Sequence, residues 1–257
     1  MKFTEAQIIG QVALFIWPLL RISAFFIAVP LFSMQAVPAR VRLMLSVAIT
    51  FVVMPLLPAF PALEMFSYAG IMTAIAQIMI GLASGFIVQL VFAAVVFAGQ
   101  GIALSMGLGF ASMVDPQNGQ QVPVIAQLYV ITTTLIFLSL EGHLVLIKML
   151  IDSFISLPIG MDSLSKTDMW AIIAWSSRLF SGGLLLAMPV IVSLLLINIS
   201  FGVATRVAPQ LNIFSVGFPV TLMLGIVLIW FTLPNALDQF TGILSDAYDL
   251  IGEVLRF

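Results

Sequence analysis

Cysteine is absent from this sequence of 257 residues, and histidine occurs only once. Without cysteine there is no disulfide, no thiol nucleophile and no thiolate metal site. A metal centre usually needs several His, Cys or carboxylate ligands together. The single histidine, His143, has Glu141 two residues before it, a spacing that does not share a helix face. We therefore expect no catalytic, cofactor-binding or metal site, and we interpret His143 as a polar interface residue.

Charge is also scarce. Only 8% of the residues are charged and 62% are apolar, whereas soluble domains have about 25% and 45–50% respectively. The net charge is −2, and without a basic run nucleic acid is not an expected partner. The start, MKFTEAQIIGQ, has no small-residue cleavage pattern, so we expect a retained amphipathic segment rather than a cleaved signal. The composition predicts an all-α integral membrane protein.

Six apolar runs follow one another along the chain. The third is too long for one crossing, because about 20 residues span the bilayer core. It is either a hairpin or one long helix that projects beyond the membrane. A more acidic, amphipathic tail follows the last run, from about residue 235 to 257. The runs cover about residues 8–32, 43–57, 68–106, 124–151, 169–201 and 213–233.

Polar side chains interrupt these runs. Arg21 lies within the first run, and an arginine there costs about 2.5–3.5 kcal/mol on insertion scales. It should contact protein or water, or its long side chain should snorkel to an interface. Gly81 and Gly85 are spaced for close helix approach. Lys148 and Asp152 are spaced to pair on one helix face.

The central stretch, GIALSMGLGFASMVDPQNGQQVP (residues 101–123), fits neither a helix interior nor a polar linker. Asp115-Pro116 and Asn118-Gly119 are turn signals, yet large apolar residues stand among them. One interpretation is an irregular apolar loop held inside protein or lining a cavity. The other is a surface loop that dips into the lipid headgroups.

No protease, Walker or nucleophile motif appears in the chain. Apolar segments broken by Gly and Pro are typical of substrate sites in secondary transporters. A self-contained small-molecule transporter is therefore one functional hypothesis, although we find no duplicated half.

Two stretches resemble one family closely: MGLGFASMVDPQNGQQVPV (residues 106–124) and RVAPQLNIFSVGFP (residues 206–219). They are similar to the FliR family, the membrane export-gate component of the flagellar type III secretion apparatus. The resemblance covers the whole chain, which we treat as one export-gate membrane domain, 1–257. Related injectisomes carry homologues, but the sequence NIFSVGFP is more similar to the flagellar members.

The resemblance implies long bent helices and hairpins that stack with FliP and FliQ into a helical pore assembly. This assembly would lie in the bacterial inner membrane, within the flagellar basal body, and project towards the periplasm. FlhB and FlhA are the further expected partners, besides membrane lipids. The expected cargo is unfolded flagellar export substrates.

The resemblance also implies two functional stretches. The loop of about residues 106–123 is expected to plug the closed pore. Family members often have a second aromatic residue where this chain has Met113. We expect a helix-breaking turn after Arg206 to form a subunit junction, the alternative being an internal hairpin turn. The plug residues are Met106, Gly107, Leu108, Gly109, Phe110, Met113 and Val114, and the junction residues are Arg206, Pro209, Gln210 and Asn212.

Overall fold

The computed structural model describes residues 5–33, 37–57, 67–108, 124–160, 163–207 and 217–257. Every regular element in these ranges is a helix, which confirms the predicted all-α fold. A 3₁₀ turn, Met54–Leu56, extends the third helix. The helices are α1 Glu5–Ala28, α2 Pro30–Ser33, α3 Ala39–Val53, α4 Tyr68–Ser105, α5 Val124–Ser139, α6 Gly142–Ser156, α7 Lys166–Trp175, α8 Ser177–Val207 and α9 Phe218–Leu255.

The long third run forms one helix, α4, and not a hairpin. Its 38 residues correspond to about 57 Å at 1.5 Å per residue, well beyond the thickness of a bilayer core. Helix α9 is equally long and continues through Pro234, so the last apolar run and the amphipathic tail form one element. Four helical segments in the described ranges are long and apolar enough to cross a membrane: Ala39–Leu56, Tyr68–Ser105, Lys166–Val207 and Phe218–Leu255.

The fourth apolar run is divided between α5 and α6, which could together form a fifth, broken span. The chain turns at Leu140 and Glu141, and Glu141 has a left-handed backbone with φ 56°. Gly142 follows, and a Cβ there would meet the ring of Phe137 and the hydroxyl of Tyr248. The break between α5 and α6 therefore requires glycine at position 142, because the side chains of Phe137 and Tyr248 leave no room for a Cβ.

The chain divides into two compact units. The first contains the described parts of residues 1–90, 137–176 and 246–257. Its core is built around α1, where the rings of Phe25 and Phe26 meet edge to face at 5.6 Å. Phe26 makes a second such contact with Phe32 at 4.5 Å. Aromatic edge-to-face packing thus fixes the turn from α1 into α2.

Helices α1 and α4 run parallel in this unit and touch through glycine. A Cβ on Gly81 would meet the carbonyl oxygen of Arg21, and one on Gly85 would lie 2.5 Å from the Cβ of Ala28. The predicted role of this GxxxG pair in close helix approach is confirmed.

The second unit contains the described parts of residues 91–136 and 177–245. Phe92 of α4 packs edge to face on Phe240 of α9, with ring centroids 5.8 Å apart. Helix α8 approaches α4 at Gly183, where a Cβ would lie 2.6 Å from the Ala94 carbonyl oxygen. Small residues and aromatic rings therefore bring these helices together.

Candidate functional site

The central loop begins with a tightly defined helix end. Helix α4 stops at Ser105, and the Leu108 N–H donates to the Ala103 carbonyl at 3.0 Å. The Gly107 N–H donates to the Leu104 carbonyl, also at 3.0 Å, and Gly107 has φ +84°. This pair of bonds around a left-handed glycine is the Schellman motif. It satisfies two free carbonyls of the helix and turns the chain sharply at Gly107.

The same helix end is packed against the start of α9. Met106 is 1% exposed, and its side chain occupies the space that a Cβ on Gly225 would need, with the nearest atoms at 2.7 Å. A Cβ on Gly107 would come 3.1 Å from a ring carbon of Phe218. The structure therefore brings together three expected plug residues, Met106, Gly107 and Leu108, as a fixed base.

The chain returns from the loop at a second packed position. Helix α5 begins at Val124, and within its first turn Ala126 is fully buried. A Cβ on Gly99 of α4 would meet the Cα and Cβ of Ala126. The segment between these helices is consequently held at one end against α9 and at the other against α4. Residues 109–123 lie outside the described ranges, and with them the plug predictions for Gly109, Phe110, Met113 and Val114.

The predicted junction begins at the end of α8. Arg206 lies in its last turn and is exposed, a position where a cation interacts favourably with the helix dipole. Its side chain makes no hydrogen bond within the described residues. Pro209, Gln210 and Asn212 lie outside the described ranges.

Arg21 is the buried cation that the sequence indicated. Its side chain is 0% exposed, so it contacts protein and does not snorkel. Nε donates to Gln77 Oε1 at 2.8 Å, and one terminal nitrogen donates to the backbone oxygen and hydroxyl of Ser153 at 2.8 and 3.0 Å. The other terminal nitrogen donates to the Leu157 carbonyl at 2.8 Å. One guanidinium thus joins α1, α4 and the end of α6.

The remaining candidate polar residues form no reactive cluster. His143 is half-buried, and Glu141 beside it is exposed. Lys148 and Asp152 both lie on α6, but the structure records no ion pair between them. Within the described ranges no group of three or more His, Cys, Asp or Glu residues could hold a metal ion.

The fold and these sites define a polytopic helical membrane protein in which the helix ends on either side of residues 109–123 are packed. A family described as "Bacterial export proteins, family 1" matches residues 12–247. The chain belongs to this family, and relatives that match it along nearly its whole length are named flagellar FliR proteins. It is accordingly an export component of flagellar biosynthesis and not an enzyme, which favours export over the small-molecule transporter hypothesis.

The similarity to individual FliR proteins extends along nearly the whole chain. The protein named "Flagellar biosynthetic protein FliR" from Escherichia coli (strain K12) is 40% identical over 255 residues, which is 99% of this chain and 97% of the relative. The FliR protein of Pectobacterium carotovorum is 39% identical over the same shares. That of Bacillus subtilis (strain 168) is 31% identical over 87% of each chain.

Proposed function

We propose that this chain is a subunit of the flagellar type III export gate in the bacterial inner membrane. Together with FliP and FliQ it forms the entrance pore for unfolded flagellar proteins. FlhB and FlhA are the neighbouring partners, and the assembly belongs to the basal body and projects towards the periplasm. The loop of residues 106–123 plugs the closed pore.

The observation that carries the plug proposal is the anchored base of the loop. A segment that blocks a pore needs fixed ends, because loosely attached ends would let it drift out of the path. The Schellman motif at Gly107 fixes one end, and the contact of Gly99 with Ala126 holds the other. These two anchors support a loop that moves between blocking and open positions without detaching.

The sequence of residues 106–123 contains large apolar side chains that could seal a pore. Irregular backbone at membrane depth is tolerated where protein covers it or where it lines water. Apolar side chains at a constriction exclude water and ions by dewetting. Phe110, Met113 and Val114 are the sealing residues in this proposal. Methionine can adjust to cargo of varied shape because its side chain is flexible.

The energy of such a seal suits a gate that must reopen. Burying each large apolar side chain contributes roughly 1.5–3 kcal/mol, so three of them contribute somewhat under about 10 kcal/mol. The membrane potential supplies about 2.3 kcal/mol per charge per 100 mV. Contacts with substrate and partner subunits add to this, so opening is within reach of the available forces.

The proposal predicts that removing the seal makes the assembled gate leak. Phe110→Gly combined with Met113→Gly should raise the permeability of the membrane to small ions, because water then wets the constriction. The measurement is ion flux across membranes that contain the assembled complex. The control is Phe231→Ala, which removes a large apolar side chain from an exposed position of α9. Unchanged flux in a correctly assembled Phe110/Met113 variant would contradict the plug.

A further inference from the structure

Helix α3 has the reverse of the polarity found in soluble proteins. Its buried side includes Ser46 and Thr50. The Ser46 hydroxyl donates to the Arg42 carbonyl at 2.9 Å, and the Thr50 hydroxyl donates to the Ser46 carbonyl at 2.7 Å. Both hydroxyls are therefore satisfied within the helix. Beyond Arg40 in the first turn, the large exposed side chains of α3 and of the 3₁₀ turn that extends it are apolar: Val41, Leu43, Met44, Val47, Phe51, Val52 and Leu56.

The exposed face of α3 is unsuited to close contact with another membrane helix. Helices associate in membranes through small residues and polar side chains, and α4 does this in the same unit through Gly81 and Gly85. The exposed face of α3 between Leu43 and Leu56 has one small side chain, Ala48, and no polar one. Its bulky side chains fit the disordered packing of lipid tails better than a partner helix.

Length and charge point to the same occupant. The apolar segment Ala39–Leu56 has 18 residues, or about 27 Å of helix, close to the roughly 30 Å of a hydrocarbon core. Its charged side chains, Arg40 and Arg42, both lie in the first turn, where Arg40 is exposed. A cationic end on an apolar rod complements the anionic headgroups of the cytoplasmic leaflet.

We propose that the exposed face of α3 lies against the acyl chains of the bilayer, with Arg40 at the headgroups. Of the helical segments that could cross the membrane, α3 would then be one that contacts lipid directly. The inference rests on α3 itself and is independent of the plug and of the subunit junction.

The absence of cysteine makes a direct test possible, because each introduced cysteine is the only labelling site in this chain, and the unsubstituted chain treated in the same way measures any label on the accompanying subunits. Met44→Cys and Phe51→Cys place a nitroxide label on the exposed face, two helical turns apart. Ser46→Cys is the matched control on the buried side of the same helix. Val203→Cys, on the exposed end of α8 three residues before Arg206, reports separately on the proposed subunit junction. The full chain is purified with the subunits that accompany it and reconstituted into phosphatidylethanolamine/phosphatidylglycerol vesicles.

Collisions of the label with oxygen and with a water-soluble nickel chelate distinguish the possible environments. At residues 44 and 51 we expect oxygen to broaden the nitroxide spectrum strongly and the nickel chelate to broaden it weakly. Residue 46 should label poorly or show little broadening by either reagent. Little broadening by either reagent at 44 and 51 would mean that a subunit covers α3, and strong nickel broadening would mean that it faces water. Either outcome overturns the proposal.

The Val203 label keeps this test separate from the proposed function. Protection from both reagents at residue 203 supports the subunit junction, whatever is found for α3. Lipid exposure at residue 203 argues against the junction and leaves the assignment of α3 unchanged.

Discussion

At the scale of single residues, the buried Arg21 shows how an apolar core can hold a cation. Its hydrogen-bond partners are neutral: the Gln77 amide, the Ser153 backbone and hydroxyl, and the Leu157 carbonyl. The two carbonyls belong to the end of α6, where the helix dipole places partial negative charge. The guanidinium also lies 4.2 Å from the centroid of the Phe154 ring, a favourable cation–π distance. The partial negative charges of these oxygens and of the Phe154 ring thus stabilise the guanidinium in place of a carboxylate.

This arrangement predicts that Arg21 cannot be replaced by another long side chain. Arg21→Met leaves the Leu157 carbonyl and the Gln77 amide oxygen without the donor that Arg21 supplies, and each orphaned buried group costs about 1–3 kcal/mol. Arg21→Lys should fail as well, because an ammonium lacks the planar fork that reaches several acceptors at once. The measurement is the midpoint of thermal unfolding in detergent. Arg178→Met, at an exposed position of α8, is the control. A midpoint for Arg21→Lys equal to that of the native chain would contradict the argument.

Gly107 provides a second prediction at this scale. Gly107→Ala should destabilise the protein by about 1 kcal/mol, because a left-handed backbone is unfavourable for a residue with a Cβ. The new Cβ would also press on Phe218. Gly202→Ala is the matched control, since no atom lies within 4 Å of its added Cβ and alanine favours helix by about 1 kcal/mol. Thermal midpoints should therefore shift in opposite directions, and a parallel shift would argue against the Schellman motif at Gly107.

The sequence predicted which residue types needed partners but not what those partners are. An arginine in an apolar run requires protein or water, and burial of Arg21 confirms this. Its partners lie 56, 132 and 136 positions away in sequence. No local pattern records such separations, because they depend on how α1, α4 and α6 pack. Gln77 is a polar side chain within an apolar run, whereas nothing in the sequence around Ser153 and Leu157 indicates a partner for an arginine.

At the scale of helices, glycine determines how closely the elements approach. Gly81 brings α1 against α4 so closely that an added Cβ would meet backbone. At Gly225 an added Cβ would meet the side chain of Met106, which can rearrange because methionine is flexible. Backbone cannot move aside in this way without separating the helices. The two glycines should therefore differ in how they tolerate substitution.

Alanine substitutions are expected to rank by what the new methyl group meets. Gly81→Ala should destabilise most, at about 1–3 kcal/mol as for other overpacked cores, and Gly225→Ala should destabilise less. Gly242→Ala should be neutral or stabilising, because nothing lies within 4 Å of its added Cβ and alanine is the better helix former. Thermal midpoints of the three variants give the order. A gain for Gly81→Ala equal to that for Gly242→Ala would show that helix propensity, and not close approach, governs these positions.

Apolar periodicity predicted the existence of the helices better than their boundaries. Residues 68–106 were recognised as too long for one crossing, and α4 is one long helix. The run 124–151 gave no clear sign of the break before α6, because Glu141 and Gly142 form a turn only where Phe137 and Tyr248 enclose the glycine. The last apolar run was placed at about residues 213–233, but α9 continues through Pro234 to Leu255. Packing against neighbouring elements outweighs these local signals.

At the scale of the whole molecule, one chain leaves a large apolar surface for lipid and other subunits to cover. The end of α8 is the clearest case, because nearly every side chain from Leu195 to Val207 is exposed. Unlike α3, this segment includes polar and small residues, among them Asn198, Ser200 and Gly202. Such residues suit contact with other membrane helices. Arg206, where the proposed junction begins, lies at the end of this segment.

The junction predicts a defect in assembly without a defect in folding. Arg206→Ala combined with Asn212→Ala should lower the amounts of FliP and FliQ that co-purify with the tagged chain, because side chains that bond across the subunit boundary are lost. Arg178→Ala is the matched control: it removes an exposed arginine from the other end of the same helix and should leave co-purification intact. The thermal midpoint of the variant chain is measured as well, and a native value shows that the defect is in assembly and not in folding. If the double variant retains both partners in native amounts, the turn after α8 is an internal hairpin, and the contacts that hold the gate together lie elsewhere on the exposed helices.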